Sequence, residues 1–154
     1  MRLWRLARAG QLTLDGEGAR LHGGRYSSSG RPVVSLASEA GLAVLVTLRY
    51  AMAEAGGMDA GYFLGWTEAD AVPERIAPGM SREDTTRWVD DWLDSGRSLL
   101  AAIQSAVLPE ADVIFLNPLH RDAVAVSPLV VRPFRFSECL HRPPALKQFR
   151  ENPR

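Results

Sequence analysis

The sequence predicts a single α+β domain, and three observations predict it. Short β-branched or aromatic runs are bounded by Gly and Pro, and two stretches between them carry helical spacing. The chain has 154 residues, 46% hydrophobic and 23% charged, with formal net charge +0, which suits one core and is too apolar for a disordered chain.

The elements follow in order. Residues 3–6, Leu-Trp-Arg-Leu, read as a short strand, and residues 10–24, with glycines at 16, 18, 23 and 24, read as a loop. Pro32 punctuates a turn, and Val33-Val34-Ser35-Leu36 is a buried strand. Ser38 is placed to cap a helix from Glu39 to about Met52, along which Leu42, Leu45, Val46 and Arg49 recur at helical spacing before Gly56-Gly57. Tyr62-Phe63-Leu64 predicts a strand, followed by an irregular acidic loop containing Pro73 and Pro78. Ser81, then Arg82-Glu83-Asp84, opens a second helix that carries Trp88, Trp92 and Leu99 on one face and is interrupted by Gly96. Residues 99–107 fit strand or helix. Residues 113–116 form a strand ended by Asn117-Pro118, and residues 124–131 and 133–136 read as closing strands. The domain is expected to span 1–142, with 143–154 a Pro- and charge-rich tail that frays.

Composition excludes several functions. Cys139 is the sole cysteine, so neither an internal disulfide nor a cysteine zinc site is expected, and three scattered histidines, His22, His120 and His141, make no metal motif. The longest apolar stretch is far short of the ~20 residues of a membrane span, and no leader-like segment opens the chain, so a cytoplasmic protein without membrane association is expected. Charge is uneven: residues 1–50 and 121–154 are basic and residues 51–120 acidic, with Arg supplying every base except Lys147. No basic stripe suggests direct nucleic-acid binding.

The densest chemical candidate is Gly23-Gly24-Arg25-Tyr26-Ser27-Ser28-Ser29-Gly30. Its glycines allow close backbone approach, Arg25 can hold a phosphate bidentately and the hydroxyls add donors. No Gly-Lys-Ser/Thr follows, and Gly/Ser turns between strands are common, so alone the pattern reads first as a structural turn. Ser105 is a polar residue inside an apolar stretch, and its default role is a hydroxyl bonded to backbone. No nucleophile elbow, His-Glu-x-x-His or diagnostic carboxylate pair is present.

The order of the segments carries more information than any one of them. Trp4-Arg5-Leu6, Gly16-Glu17-Gly18-Ala19, Gly23-Gly24-Arg25-Tyr26, Gly30-Arg31-Pro32-Val33-Val34, the first long helix, Ser105-Ala106-Val107 with Pro109, and Asn117-Pro118-Leu119-His120 together resemble the RES-domain family, over about residues 3–140. These are toxins of RES–Xre toxin–antitoxin pairs. The resemblance implies an ADP-ribosyltransferase-like α+β fold that binds NAD as substrate, without metal, and cleaves its nicotinamide–ribose bond. Family members either degrade NAD, with phosphate or water as acceptor, or transfer ADP-ribose to a protein. It implies an Xre-type antitoxin as partner, and a dimer or a larger complex with that antitoxin.

Carried onto this chain, the resemblance makes Arg5 and Arg25 the phosphate anchors, Tyr26 an aromatic face where the family commonly has Trp, and Ser105 a partner for the nicotinamide amide or a ribose hydroxyl. Two positions depart from the family: Ser35 stands where it usually has Tyr, and Val46 where it has the Glu that stabilises the reacting ribose. Glu39 is two turns from Val46, roughly 10 Å along the helix axis, and cannot replace that Glu. Tyr50, one turn beyond Val46, stands where the family often has His. Arg25, Ser105 and Tyr50 are therefore the expected catalytic set, and Arg5, Arg25, Tyr26, Ser35, Val46 and Ser105 the dinucleotide-binding set. A second reading follows from the two departures: a catalytically impaired RES-fold module whose role is binding its antitoxin.

Overall fold

The computed structural model describes residues 1–51 and 61–139, apart from the side chains of Tyr50 and Ala51. Among the described residues seven strands form one mixed sheet: β1 (Arg2–Arg8), β2 (Val34–Ala37), β3 (Tyr62–Glu68), β4 (Glu74–Arg75), β5 (Leu100–Gln104), β6 (Asp112–Leu116) and β7 (Val130–Phe134). Their spatial order is β4-β5-β6-β2-β1-β3-β7, antiparallel throughout except for the parallel pair β4–β5. The α-helices among the described residues are α1 (Glu17–His22), α2 (Ala40–Ala51) and α3 (Arg82–Ser95).

Cross-strand register sorts the sheet into two faces, because residues directly opposite in an antiparallel pair share a side. Val34 and Leu36 pair with Leu116 and Ile114, which pair with Leu100 and Ala102, and these pack with Leu3 in one cluster. The cover on that side comes from loop and 3₁₀ residues such as Leu14, Ala123 and Val126. Ser35 and Ala37 face the other way, opposite Phe115 and Val113, which pair with Ala101 and Ile103. Both long helices cover this second face. α2 brings Leu42 and Ala43 to Leu6 and Ala37, while α3 brings Val89, Trp92 and Leu93 to Ala101 and Phe115. Val113 packs against both clusters, so it lies on the strip of sheet between the two helices. Leu3, Leu42, Leu100 and Trp92 are each fully buried, and each such side chain contributes about 1.5–3 kcal/mol of transfer free energy.

α3 matches its sequence signals. Ser81 accepts the N–H of Asp84, Glu83 and Asp84 fill the first turn, and Gly96 ends the helix in the left-handed conformation at φ 58°. Leu99 does not continue its apolar face; beyond Gly96 it joins the cluster on the opposite side of the sheet.

Elsewhere the structure corrects the sequence reading. The loop expected over 10–24 contains α1, which begins after Gly16 at φ 70°. A Cβ on Gly16 would lie 2.5 Å from the backbone nitrogen of Val33, so this glycine permits the loop to pass close over the start of β2. Ser38 lies outside α2, and its hydroxyl accepts the N–H of Asp112 at 2.9 Å, tying the strand–helix turn to β6. Leu45, one of the helically spaced positions on α2, is exposed. The acidic loop supplies β4, and residues 99–107 resolve into β5 followed by a turn. Residues 124–131 are not one strand: Arg121–Ala125 is a 3₁₀ turn and β7 starts only at Val130. Phe136 lies in a further 3₁₀ turn, Phe136–Cys139, with its ring edge-on to Tyr62 and Phe134. The tail expected over 143–154 lies outside the described residues.

Candidate functional site

The strip between the two helices opens as a cavity of about 240 Å³. Its floor is Ile103, Val113 and Phe115 from β5 and β6, and five of the expected site residues line it: Arg25, Tyr26, Ser35, Val46 and Ser105. These come from four separate parts of the chain, and the sheet register brings them together. Ser35 lies opposite Phe115 in the β2–β6 ladder, and Ser105 follows directly on β5. Val46 projects from α2 on one side, and the glycine turn delivers Arg25 and Tyr26 on the other.

The glycine turn is held by backbone and by α3. Gly24 N–H donates to the Ser27 carbonyl at 2.9 Å, and Gly23, at φ 73°, donates to Ala19 at the end of α1. Asp90 accepts the N–H of Ser28 at 3.0 Å, and Arg82 Nε donates to the carbonyl of Arg25 at 3.1 Å. Arg31 grips Asp94 with two hydrogen bonds of 2.7 Å, and this pairing holds the Asp94 carboxyl below its ordinary pKa. Of the turn's side chains, Arg25 and Tyr26 reach the cavity, while Ser27, Ser28 and Ser29 do not line it. Tyr26 stands edge-on to Phe115, ring centroids 6.2 Å apart, with the Arg25 guanidinium 5.3 Å from its own ring centroid.

Arg5 lies on the other side of Ser35. β1 and β2 pair only at Trp4↔Ala37, and where that ladder ends Arg5 Nη1 donates to the Ser35 carbonyl at 3.0 Å while its Nε donates to Gln11 at 3.2 Å. Burial pushes the Arg5 pKa down and Asp15 opposes this; a guanidinium remains charged regardless. Two of its five donors are thus engaged with backbone. Arg5 lines two further cavities: one of about 210 Å³ shared with Ser35 and Val46, and one of about 660 Å³ shared with Ser35, Asp15, Glu17 and His22. Ser35 therefore borders all three spaces, and Val46 the two smaller ones. Ser35 and Val46, the two positions that the resemblance marks as departures, thus stand where these adjoining cavities, together a branched cleft, share their walls.

Ser105 is 4% exposed, and its Oγ accepts the N–H groups of Val107 at 3.2 Å and Leu108 at 3.3 Å. Both acceptor positions of the hydroxyl are occupied, so its remaining capacity is its own O–H as donor. The side chain of Tyr50 lies outside the described residues. Arg49, one turn beyond Val46 on α2 and marked in the sequence only by its helical spacing, lines the 240 Å³ cavity. His120 takes no part: its Nδ1 accepts the Asp122 N–H at 3.2 Å and caps a 3₁₀ turn. Among the described residues no group of three or more His, Cys, Asp or Glu could hold a metal ion, and no helix is long and apolar enough to cross a membrane.

Comparison with known proteins gives a consistent set of likenesses. The model of the RES domain family matches residues 2–137. A protein of Sphingobium sp. (strain YBL2) described as "Prs ADP-ribosylating toxin" is 28% identical over 146 residues, covering 84% of this chain and 89% of its own. "Toxin Res" of Photorhabdus laumondii subsp. laumondii is 26% identical over 132 residues, covering 79% and 85%. In structure the chain resembles a chain of the M. tuberculosis MbcT-MbcA toxin-antitoxin complex, with TM-score 0.69, 19% identity, and coverage of 96% of this chain and 86% of that one.

Proposed function

This chain belongs to the RES domain family, and we propose that it is the toxin of a toxin–antitoxin pair that binds NAD in the branched cleft and cleaves the nicotinamide–ribose bond. The observation that carries this reading is the convergence of Arg25, Tyr26 and Ser105 on one cavity, with Arg5 across Ser35 in the next. The relative described as an ADP-ribosylating toxin supports this activity class, the one described as Toxin Res supports a toxin, and the likeness to a chain of a toxin–antitoxin complex supports an antitoxin as partner; that the antitoxin is of Xre type and that the pair acts in the cytoplasm belong to the proposal and come from the resemblance of the sequence.

In this reading the diphosphate lies near Ser35, between the guanidinium groups of Arg5 and Arg25, whose planar forks suit phosphate oxygens. The nicotinamide ring enters the 240 Å³ cavity, where Tyr26 and Phe115 offer aromatic surface and Ser105 donates to the amide oxygen. Breaking the N-glycosidic bond leaves positive charge on the ribose, and the leaving group departs as neutral nicotinamide. Phosphate, water or a protein side chain then takes the ribosyl carbon. Among the described residues no carboxylate lines this cavity, and Val46 cannot stabilise the ribosyl cation, so slow turnover is expected. Loss of one charge-stabilising group costs about 10²–10³ in rate.

The departures at Ser35 and Val46 favour a second reading, a catalytically impaired module retained for antitoxin binding. One experiment separates the two: purified protein with NAD, with and without phosphate, followed by nicotinamide release. The expected result is slow release above that of Arg25→Ala, raised about 10²–10³-fold by Val46→Glu. Release no faster than the Arg25→Ala control, in protein shown to bind NAD, leaves the binding module; an inert Val46→Glu means the reacting ribose lies elsewhere.

A further inference from the structure

Two arms of the cleft lie on the Arg5 side of Ser35, and they differ in size and polarity. The 210 Å³ arm is smaller than the 240 Å³ cavity and is walled mainly by apolar residues, among them Leu6, Ala7, Leu36 and Val113. The other arm, of about 660 Å³, extends from Arg5 and Ser35 to α1 and combines apolar Leu21 and Val33 with the carboxylates of Asp15 and Glu17. A purine nucleoside is larger than a nicotinamide ring. With that ring in the 240 Å³ cavity and the diphosphate at Ser35, the second nucleoside of a dinucleotide therefore suits the 660 Å³ arm and not the 210 Å³ one.

The two carboxylates of this arm are not equivalent. Arg20 donates to both oxygens of Glu17, which offsets that charge. Asp15 Oδ1 accepts the Glu17 backbone N–H at 3.0 Å, and this bond is the chief cause that holds the Asp15 carboxyl below its ordinary pKa, so it is ionised at neutral pH. An ionised carboxylate has about four lone-pair positions, so Asp15 keeps acceptor capacity beyond that bond. Arg5, which lines the same arm, is turned elsewhere: its Nη1 and Nε donate to the Ser35 and Gln11 carbonyls. A ribose diol offers O–H donors to such a carboxylate, whereas a phosphate on the 2′ oxygen offers acceptors alone and adds negative charge.

We infer that the 660 Å³ arm takes the second nucleoside of the dinucleotide, and that Asp15 accepts its ribose hydroxyls and so selects NAD against the 2′-phosphorylated form. The inference rests on the dinucleotide reading and deepens it, by naming the residue that sets which dinucleotide enters.

The test measures binding to the full chain by calorimetry at pH 8, which keeps imidazole groups uncharged, and compares NAD with NADP and ADP with 2′-deoxy-ADP. NADP is expected to bind at least roughly tenfold more weakly than NAD, and 2′-deoxy-ADP several-fold more weakly than ADP. Asp15→Asn, whose amide oxygen can still accept the Glu17 N–H, is expected to bring NAD and NADP close to parity. Glu17→Gln is expected to keep the gap, because Arg20 already offsets that carboxylate. NADP bound as tightly as NAD, 2′-deoxy-ADP bound as tightly as ADP, a gap that Asp15→Asn leaves intact, or one that Glu17→Gln abolishes overturns the inference. NAD and ADP that bind, and lose affinity in Arg25→Ala, without discrimination at the 2′ position remove the inference and leave the dinucleotide reading. Failure of NAD and ADP alike to bind removes that reading and the inference with it.

Discussion

At the scale of single residues, Ser105 joins stability to the proposed site through one hydroxyl. Its Oγ accepts two backbone N–H groups in a residue that is almost wholly buried, so Ser105→Ala leaves two donors without their partner. The expected cost is about 1–3 kcal/mol, read from urea unfolding at pH 7 with an unchanged m-value. A cost near zero would mean that water replaces the hydroxyl, and hence that the turn is open to solvent. Ser105, Arg5, Arg25 and Tyr26 were legible in the sequence because each stands inside a motif whose order is specific. Arg49 was not, because a lone Arg on a helix has the same sequence signature whether it faces solvent or a cavity. The signal that could have found it was its spacing of three residues from Val46, which places the two on one helix face. The engagement of Arg5 with the Ser35 and Gln11 carbonyls was equally invisible, since it depends on β1 and β2 pairing at a single position.

At the scale of elements, the glycine turn owes its position to α3 more than to its own sequence. Asp90 holds the Ser28 N–H, Asp94 holds Arg31, and Arg82 holds the Arg25 carbonyl, so the acidic middle of the chain anchors its basic beginning. The Asp94 pKa is depressed, chiefly by its hydrogen bonds from Arg31. A depressed carboxyl contributes stability that is complete above its unfolded pKa, about 3.9, and is lost as pH falls through the lower folded value. Asp94→Asn is therefore expected to be less stable than the parent at pH 7, with the gap closing below about pH 4; urea midpoints at pH 7, 5, 4 and 3 read it. A gap that stays constant to pH 3 would show that Arg31 and Asp94 do not interact in solution. The strands and long helices were legible because hydrophobic period and Gly/Pro punctuation agree there. α1 was hidden by Gly16, Gly18 and Gly23, which signal loop while serving as its entry, interior and exit. Residues 99–107 were ambiguous because Leu100, Ala101 and Ala102 are buried on both faces of the sheet, which erases the alternation that marks a strand.

At the scale of the whole molecule, placing both long helices on one face leaves the cleft between two separately packed halves joined by the sheet. α2 belongs to the cluster around Leu6 and Ala37, and the glycine turn with α3 to the cluster around Trp92 and Phe115. A dinucleotide held by Arg5 on one side and Arg25 on the other would bridge these halves and stabilise the folded state by mass action. At 100 times its dissociation constant the gain is about 2.7 kcal/mol, a rise in melting temperature of roughly 5–10 °C for a domain of this size. The two arginines are expected to differ in a way that separates scaffold from ligand anchor. Arg25 is exposed, so Arg25→Ala should leave the unliganded melting temperature nearly unchanged and abolish the rise caused by NAD or ADP. Arg5 supports the backbone between β1 and β2, so Arg5→Ala should lower the unliganded melting temperature as well. Thermal melts of the three proteins with and without ADP decide the matter: a ligand-induced rise that survives Arg25→Ala would place the diphosphate away from the glycine turn.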